Sequence, residues 1–178
     1  MTEQTLYNLI QGCKKQDATS QKKLFNHLHN YGMSISTRYT NTLEDAEEVA
    51  NDGFYKMLNN IHTYKDHIPF KLWVRRIFIN CGIDHYRKNK SKNNLKQVGS
   101  MQVTRNAGAE LLDKEYLNSL IQKLSPQYRM VFVLHVIEGY KHEEIAQKLN
   151  ISIGASKSNL ARARQNLKKG IVVHNRSI

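Results

Sequence analysis

The stretch of sequence that decides the fold reads EEIAQKLNIS over residues 143–152 and GASKSNLARAR over residues 154–164. Apolar residues recur at helical spacing on both sides of Asn150, which indicates two short helices that share one small core. Asn150 falls at the turn, where Asn tolerates a left-handed backbone better than most residues. Ser152 can cap the helix that follows. The stretch therefore predicts a helix-turn-helix.

The second helix of this motif is basic on the side that its apolar residues leave to solvent. Such side chains suit the phosphates and the base edges of duplex DNA. A basic helix is often only a solvated surface, but turn chemistry, spacing and charge together favour DNA binding here. The candidate DNA contacts on this helix are Lys157, Ser158, Asn159 and Arg162.

Charge is distributed unevenly along the 178 residues, which contain 27 Lys and Arg against 15 Asp and Glu, a formal net charge of +12. This excess favours a polyanionic partner. No acidic residue occurs in residues 85–109 or from residue 145 onward, whereas five acidic residues crowd into residues 44–52. Two basic zones and one acidic patch indicate two different partners.

Several function classes lack their usual sequence signals. Cys13 and Cys81 are too far apart to indicate a zinc site or a disulfide framework. The eight His residues lack ligand spacing, and no nucleotide-binding or hydrolase motif occurs, so we expect no metal, no cofactor and no catalysis. The first residues lack a signal peptide and no apolar run would span a membrane, so we expect a cytoplasmic protein.

Periodicity and the presence of only two prolines predict an all-α fold of two small helical domains joined by a flexible linker. A third helix, capped by Asn41 or Thr42, has an apolar stripe and an acidic opposite face. The polar, basic residues 91–110 have no sustained periodicity and are interpreted as the linker. In the second half, Ser125 and Pro126 predict the start of an apolar helix over residues 127–137. We therefore predict domains at residues 1–90 and 111–178, the second ending in the helix-turn-helix.

The chain resembles the extracytoplasmic-function (ECF) group of bacterial sigma factors, within the sigma-70-like family. The resemblance covers about residues 25–169 and rests on residues 38–39, 45–49 and 70–77 in the first half. In the second half it rests on residues 124–126, 129–132 and the helix-turn-helix. It implies that residues 1–90 form sigma region 2 and residues 111–178 form sigma region 4. The implied activity is to bind core RNA polymerase and direct promoter-specific transcription initiation.

The resemblance also implies roles for individual residues. The acidic face of the third helix would dock onto core polymerase through Asp45, Glu48, Asn51, Asp52 and Tyr55. The loop after Ile61 and the next helix would read the single-stranded minus-ten element, which needs stacking surfaces and basic groups. The candidates there are Tyr64, Lys65, Arg75, Arg76, Asn80, Arg87 and Lys88, whereas Trp73 lies on the apolar stripe and is expected in the core.

The helix-turn-helix would read the minus-thirty-five element as duplex. Within the helix-turn-helix, two residues depart from the family pattern: Asn150 stands where Gly is common, and Ser156 stands where many members have an apolar residue. The implied partners are core RNA polymerase and promoter DNA, with an anti-sigma factor as a third candidate. An alternative is a free-standing helix-turn-helix regulator that acts without polymerase. An enzyme acting on nucleic acid would need a carboxylate cluster or metal set that the sequence does not indicate.

Overall fold

The structure, a computed structural model, describes residues 1–92 and 109–175, without the side chains of residues 91–92, 109–115 and 172–175. Every regular element in these ranges is a helix, so the predicted all-α fold is confirmed. Two compact units divide the chain, Met1–His85 and Tyr86–Ile178. Most of the predicted linker, residues 93–108, lies outside the described residues, and the domain limits 1–90 and 111–178 stay predictions.

Side chains cap the N-termini of the first three helices of the first unit. Thr2 accepts a hydrogen bond from the backbone N–H of Thr5, Asp17 from that of Ser20, and Thr42 from that of Asp45. Each cap satisfies a backbone donor that the helix itself leaves without a partner. The elements are α1 (Glu3–Lys14), α2 (Ala18–Ser36), α3 (Leu43–Asn59), a 3₁₀ turn (Ile61–Thr63) and α4 (Phe70–Lys92), which continues beyond the limit of the unit at His85.

Phe78 of α4 lies at the centre of the first unit and is fully buried. Gly32 of α2 and Gly53 of α3 face its ring so closely that a Cβ atom would lie 2.5 Å and 2.8 Å from it, respectively. Phe54 packs edge-to-face on the same ring, with centroids 5.1 Å apart. Because three helices close on one aromatic ring, the outward faces of α3 and α4 are fixed relative to each other.

The second unit contains α5 (Ala109–Gln122), α6 (Pro126–Phe132), α7 (His142–Leu149) and α8 (Ile153–Asn175). Ser125 caps α6 and Pro126 occupies its first turn, as predicted. The predicted continuous α-helix over residues 127–137 is wrong in its second half, because Val133–Ile137 forms a π-helical turn. In this turn the N–H of Glu138 donates to the carbonyl of Val133 at 3.0 Å. The wider turn adds a residue to the helix, while Val133 and Leu134 remain in the core with Met130 and Val131.

Helices α7 and α8 form the predicted helix-turn-helix. Asn150 adopts the left-handed conformation with φ 50°, and Ser152 accepts a hydrogen bond from the N–H of Ala155 at 3.0 Å, both as predicted. The helices share a buried core of Ile145, Leu149, Leu160, Ala163 and Leu167. The turn therefore follows from local sequence chemistry, and the packing follows from the apolar spacing.

Candidate functional site

The outward face of α3 carries the five residues predicted to contact polymerase. Asp45, Glu48, Asn51, Asp52 and Tyr55 follow one another at helical spacing and lie opposite the buried stripe of Ala46, Val49, Ala50, Phe54 and Met57. All are exposed except Asp45, which is half-buried. Tyr55 is 69% exposed, unusual for a ring of this size. The arrangement offers a partner three carboxylates and one aromatic ring on a single rigid helix.

Two charged contacts join α3 to α4 beside this face. Lys56 Nζ lies 3.3 Å from Asp84 Oδ2, and His85 Nε2 lies 3.6 Å from Asp45 Oδ1. The side chains of the first pair are about half exposed, so solvent screens it and it stabilises the unit little. The second pair is more enclosed, with the His85 side chain only 10% exposed.

The loop between the 3₁₀ turn and α4 is supported by an aromatic cluster of Tyr64, Phe70 and Trp73. The Tyr64 ring centroid lies 4.9 Å from that of Phe70 and 5.5 Å from that of Trp73. The Tyr64 hydroxyl donates to the backbone carbonyl of Ile68 at 2.8 Å, which closes the loop on itself. Burial raises the pKa of Tyr64 above its ordinary value.

Tyr64 is therefore not the exposed stacking surface that the sequence predicted. Its residue surface is 8% exposed, and its ring packs against two aromatic neighbours. This burial was not predictable from the sequence, because an aromatic residue in a polar loop fits base stacking and loop closure equally well. Trp73 is half-buried in the same cluster, in agreement with its expected place on the apolar stripe.

The basic candidates of this region remain accessible. Lys65 is exposed in the loop, whereas Arg75 is half-buried. The other four residues are exposed on α4, with Arg76 and Asn80 one turn apart and Arg87 and Lys88 adjacent near the end of the helix. Arg76, Arg87 and Lys88 each offer a positive charge and Asn80 an amide, groups that bind the phosphates and bases of a nucleic-acid strand.

Helix α8 presents three of its four predicted DNA contacts to solvent. Lys157, Ser158 and Arg162 are exposed, and Arg162 Nη1 donates to the Tyr128 hydroxyl at 3.2 Å. The prediction for Asn159 is wrong, because this residue is only 7% exposed and lies on the buried side of the helix. Its position was detectable from spacing: Ser156, Asn159, Leu160 and Ala163 form one stripe at intervals of three and four residues.

A pair of histidines that the sequence did not single out connects the start of α7 to α8. His142 Nδ1 lies 2.9 Å from the hydroxyl of Ser156, which is fully buried, and the His142 ring stacks on His135 with centroids 4.4 Å apart. His135 Nδ1 lies 2.9 Å from the carbonyl of Tyr140, to which it donates. Burial, then the neighbouring His135 and Lys157, lower the pKa of His142. The polar Ser156 thus has a partner in the space where an apolar side chain would otherwise pack.

Two models of one protein family match the chain. The family model described as Sigma-70 region 2 matches residues 24–92, and the model described as Sigma-70, region 4 matches residues 114–167. The chain belongs to the sigma-70 family. The two matched segments contain α3, α4 and the helix-turn-helix, so every surface described above lies within them or overlaps them.

Curated relatives of this sigma factor include two RNA polymerase sigma factors of Bacillus subtilis (strain 168). RNA polymerase sigma factor YlaC is 28% identical over 159 residues, which cover 85% of this chain and 92% of YlaC. ECF RNA polymerase sigma factor SigM is 29% identical over 137 residues, covering 75% of this chain and 82% of SigM. The similarity therefore extends over nearly the whole length of both relatives.

A solved structure supports the fold. The sigma factor RpoE from Bartonella quintana, in complex with the anti-sigma factor NepR, superposes with a TM-score of 0.56 at 20% identity. The match covers 85% of this chain and 96% of that one. Within residues 1–92 and 109–175, no helix of the sigma factor combines the length and the apolar character that crossing a membrane requires.

Proposed function

We propose that this sigma factor of the ECF type binds core RNA polymerase through the exposed face of α3 and reads promoter DNA through α4 and α8. Sigma-factor function itself rests on the matches to regions 2 and 4. The division of labour rests on one observation: carboxylates line the exposed face of α3, whereas exposed Lys157 and Arg162 lie on α8 in the other unit. Opposite charges on separate units suit a protein partner and a DNA partner, respectively.

The face of α3 is suited to docking because it is rigid and charged. Phe78 holds α3 against α2 and α4 through the two glycine contacts, so the face needs no reorganisation on binding. Carboxylates at the edge of an interface speed association, and an exposed aromatic side chain such as Tyr55 supplies contact area. We assign the contact with core polymerase to Asp45, Glu48, Asn51, Asp52 and Tyr55.

The N-terminal half of α8 is suited to the major groove of the minus-thirty-five element. In helix-turn-helix proteins the second helix lies in this groove and its first turns meet the base edges. Lys157, Ser158 and Arg162 occupy that part of α8 and are exposed. Arg162 would exchange its hydrogen bond with Tyr128 for one with DNA. Asn159 is left out of this surface because its side chain packs inward.

The minus-ten element is assigned to the loop after the 3₁₀ turn and to the exposed polar and basic residues of α4. The polar and charged contacts come from Lys65, Arg76, Asn80, Arg87 and Lys88. The aromatic cluster of Tyr64, Phe70 and Trp73 packs against the loop and supports it. We assign this function to region 2 at residues 1–90 and the minus-thirty-five function to region 4 at residues 111–178. Sigma factors act in transcription initiation, and we propose that this chain acts in the cytoplasm and leaves RNA synthesis to the polymerase.

An anti-sigma factor is a further proposed partner, because the solved relative RpoE is bound to the anti-sigma factor NepR. Binding of such a partner would compete with polymerase for the same sigma factor. Core polymerase, promoter DNA and an anti-sigma factor thus form the proposed partner set, without a small-molecule substrate.

The proposal is tested with two substitutions and two readouts, affinity for core polymerase and run-off transcription from promoter fragments. Asp52→Lys should weaken core binding at least tenfold, about 1.4 kcal/mol, because it places a positive charge on the docking face. Glu47→Lys changes charge equally on the same helix but lies off the docking face, and it should bind core nearly as the unaltered chain does.

Arg162→Ala should leave core binding unchanged and lower run-off from promoters that have a minus-thirty-five element. Arg164→Ala, two positions along and on another side of α8, is its control. Equal damage by Asp52→Lys and Arg162→Ala to both readouts would refute the division of labour. Absence of both core binding and initiation by the unaltered chain would refute sigma-factor function.

A further inference from the structure

Three side chains of the first unit bring metal-binding atoms together at one edge of the α3–α4 contact. Asp45 and Glu48 lie one turn apart on α3, and His85 reaches them from α4. One ligand atom from each lies within 4.8 Å of the others. We propose that Asp45, Glu48 and His85 form a binding site for a divalent transition-metal ion of the Zn²⁺ type.

The geometry is close to that of a first coordination sphere. Zinc bonds to carboxylate oxygen and imidazole nitrogen measure about 2.0–2.1 Å, so neighbouring ligand atoms in a tetrahedral site lie about 3.3 Å apart. His85 Nε2 and Asp45 Oδ1 are 3.6 Å apart, almost at that spacing. Glu48 is exposed, and rotation of its side chain can bring its carboxylate in without disturbing the core.

The imidazole distinguishes this cluster from ordinary exposed carboxylates. The His85 side chain is only 10% exposed, and its Nε2 atom is directed at Asp45. Asp45 is held in the first turn of α3 by the Thr42 cap, with its N–H donating to Thr42 Oγ1 at 3.1 Å. Two ligands are therefore positioned by the fold before any ion arrives, which lowers the cost of binding.

The ligand set also selects the class of ion. One imidazole and two carboxylates suit Zn²⁺ and similar transition metals, whereas Mg²⁺ prefers oxygen ligands alone. Three protein ligands leave at least one coordination position for water. Sequence spacing gave no indication of the site, because His85 lies about forty residues from the two carboxylates and only the packing of α4 on α3 brings them together.

The proposed site overlaps the proposed docking face at Asp45 and Glu48. An occupied site would neutralise part of the negative charge offered to polymerase, a consequence that rests on the proposed function. Metal binding itself is measured on the sigma factor alone. Its failure is therefore distinguishable from a failure of polymerase docking.

The test is calorimetric titration of the full chain with ZnCl₂, with Co²⁺ absorption as a second probe of coordination. We expect one ion per chain, and at least a tenfold loss of affinity in His85→Ala and in Glu48→Gln. Glu48 is exposed, so its replacement does not disturb folding. His62→Ala removes another exposed histidine and should leave the affinity unchanged.

The visible Co²⁺ bands expected for a nitrogen- and oxygen-ligated ion should be lost in both ligand variants. Zn²⁺ should also raise the unfolding midpoint of the unaltered chain, and Glu48→Gln should abolish that shift. Unchanged affinity in both His85→Ala and Glu48→Gln would overturn the site. So would the absence of any Zn²⁺ binding to the unaltered chain.

Discussion

Replacing Gly32 by Ala should destabilise the first unit although it adds only one methyl group. The new Cβ would lie 2.5 Å from Phe78 Cε1 and 2.8 Å from Cζ, well inside ordinary contact distance. Phe78 is fully buried, so the ring cannot rotate away into solvent. Overpacking of this kind costs about 1–3 kcal/mol, while Ala in place of Gly within a helix gains about 0.5–1 kcal/mol.

The net expectation is a loss of about 1–2 kcal/mol, which lowers the unfolding midpoint of a unit of this size by about 4–16 °C. Urea and thermal unfolding of the full chain, followed by circular dichroism, would measure it. Gly154→Ala is the matched control, because the nearest atom to its new Cβ is Ser152 Oγ at 3.9 Å. In a double-mutant cycle, Gly32→Ala should cost less stability in the Phe78→Leu background than in the unaltered chain, because the ring that the new Cβ would meet is absent. If Gly32→Ala proves as stable as Gly154→Ala, the close-packing argument is refuted.

Three further predictions concern the second unit. Asn150→Ala should cost about 1 kcal/mol in urea unfolding because φ is 50° there, whereas Asn150→Gly should cost nothing; equal values for the two would contradict the argument. The lowered pKa of His142 means that its contribution to stability is complete above the ordinary value of 6.5 and is lost as pH falls through the lowered folded value. His142→Asn, which keeps a polar partner for Ser156, should therefore flatten the decline in stability between neutral and mildly acidic pH, and an unchanged decline would argue against it. Affinity for a duplex minus-thirty-five element, measured by fluorescence anisotropy, should fall steeply with salt, and Lys157→Ala should reduce the logarithmic slope by about one; a flat salt dependence would exclude phosphate contacts.

The helix-turn-helix could be predicted from sequence because its determinants are local. Asn150 and Ser152 act on backbone groups within a few residues, and the apolar spacing directs each helix toward the shared core. The exposed face of α3 was predictable for the same reason, since an amphipathic helix reveals its own buried side. Membership of the sigma-70 family likewise followed from short motifs in a fixed order.

What the sequence could not predict depends on neighbours that are distant along the chain. Tyr64 is buried because Phe70 and Trp73 close over it, and polar Ser156 is accommodated because His142 reaches it from another helix. Asn159 is a different case, because its amide suggested base contact although helical spacing already placed it on the buried stripe. For Tyr64 and Ser156, tertiary packing overrode the chemistry that the side chain suggested by itself.

Trp73 is the only tryptophan in the sequence, and it lies in the aromatic cluster beneath the loop assigned to the minus-ten element. Its indole is half-buried and in contact with both Tyr64 and Phe70. Tryptophan emission of the isolated chain, excited at a wavelength that its nine tyrosines do not absorb, is therefore a site-specific optical signal from this loop. Stopped-flow measurement of this emission with the isolated chain would time the capture of a single-stranded minus-ten oligonucleotide separately from the binding of a duplex minus-thirty-five element.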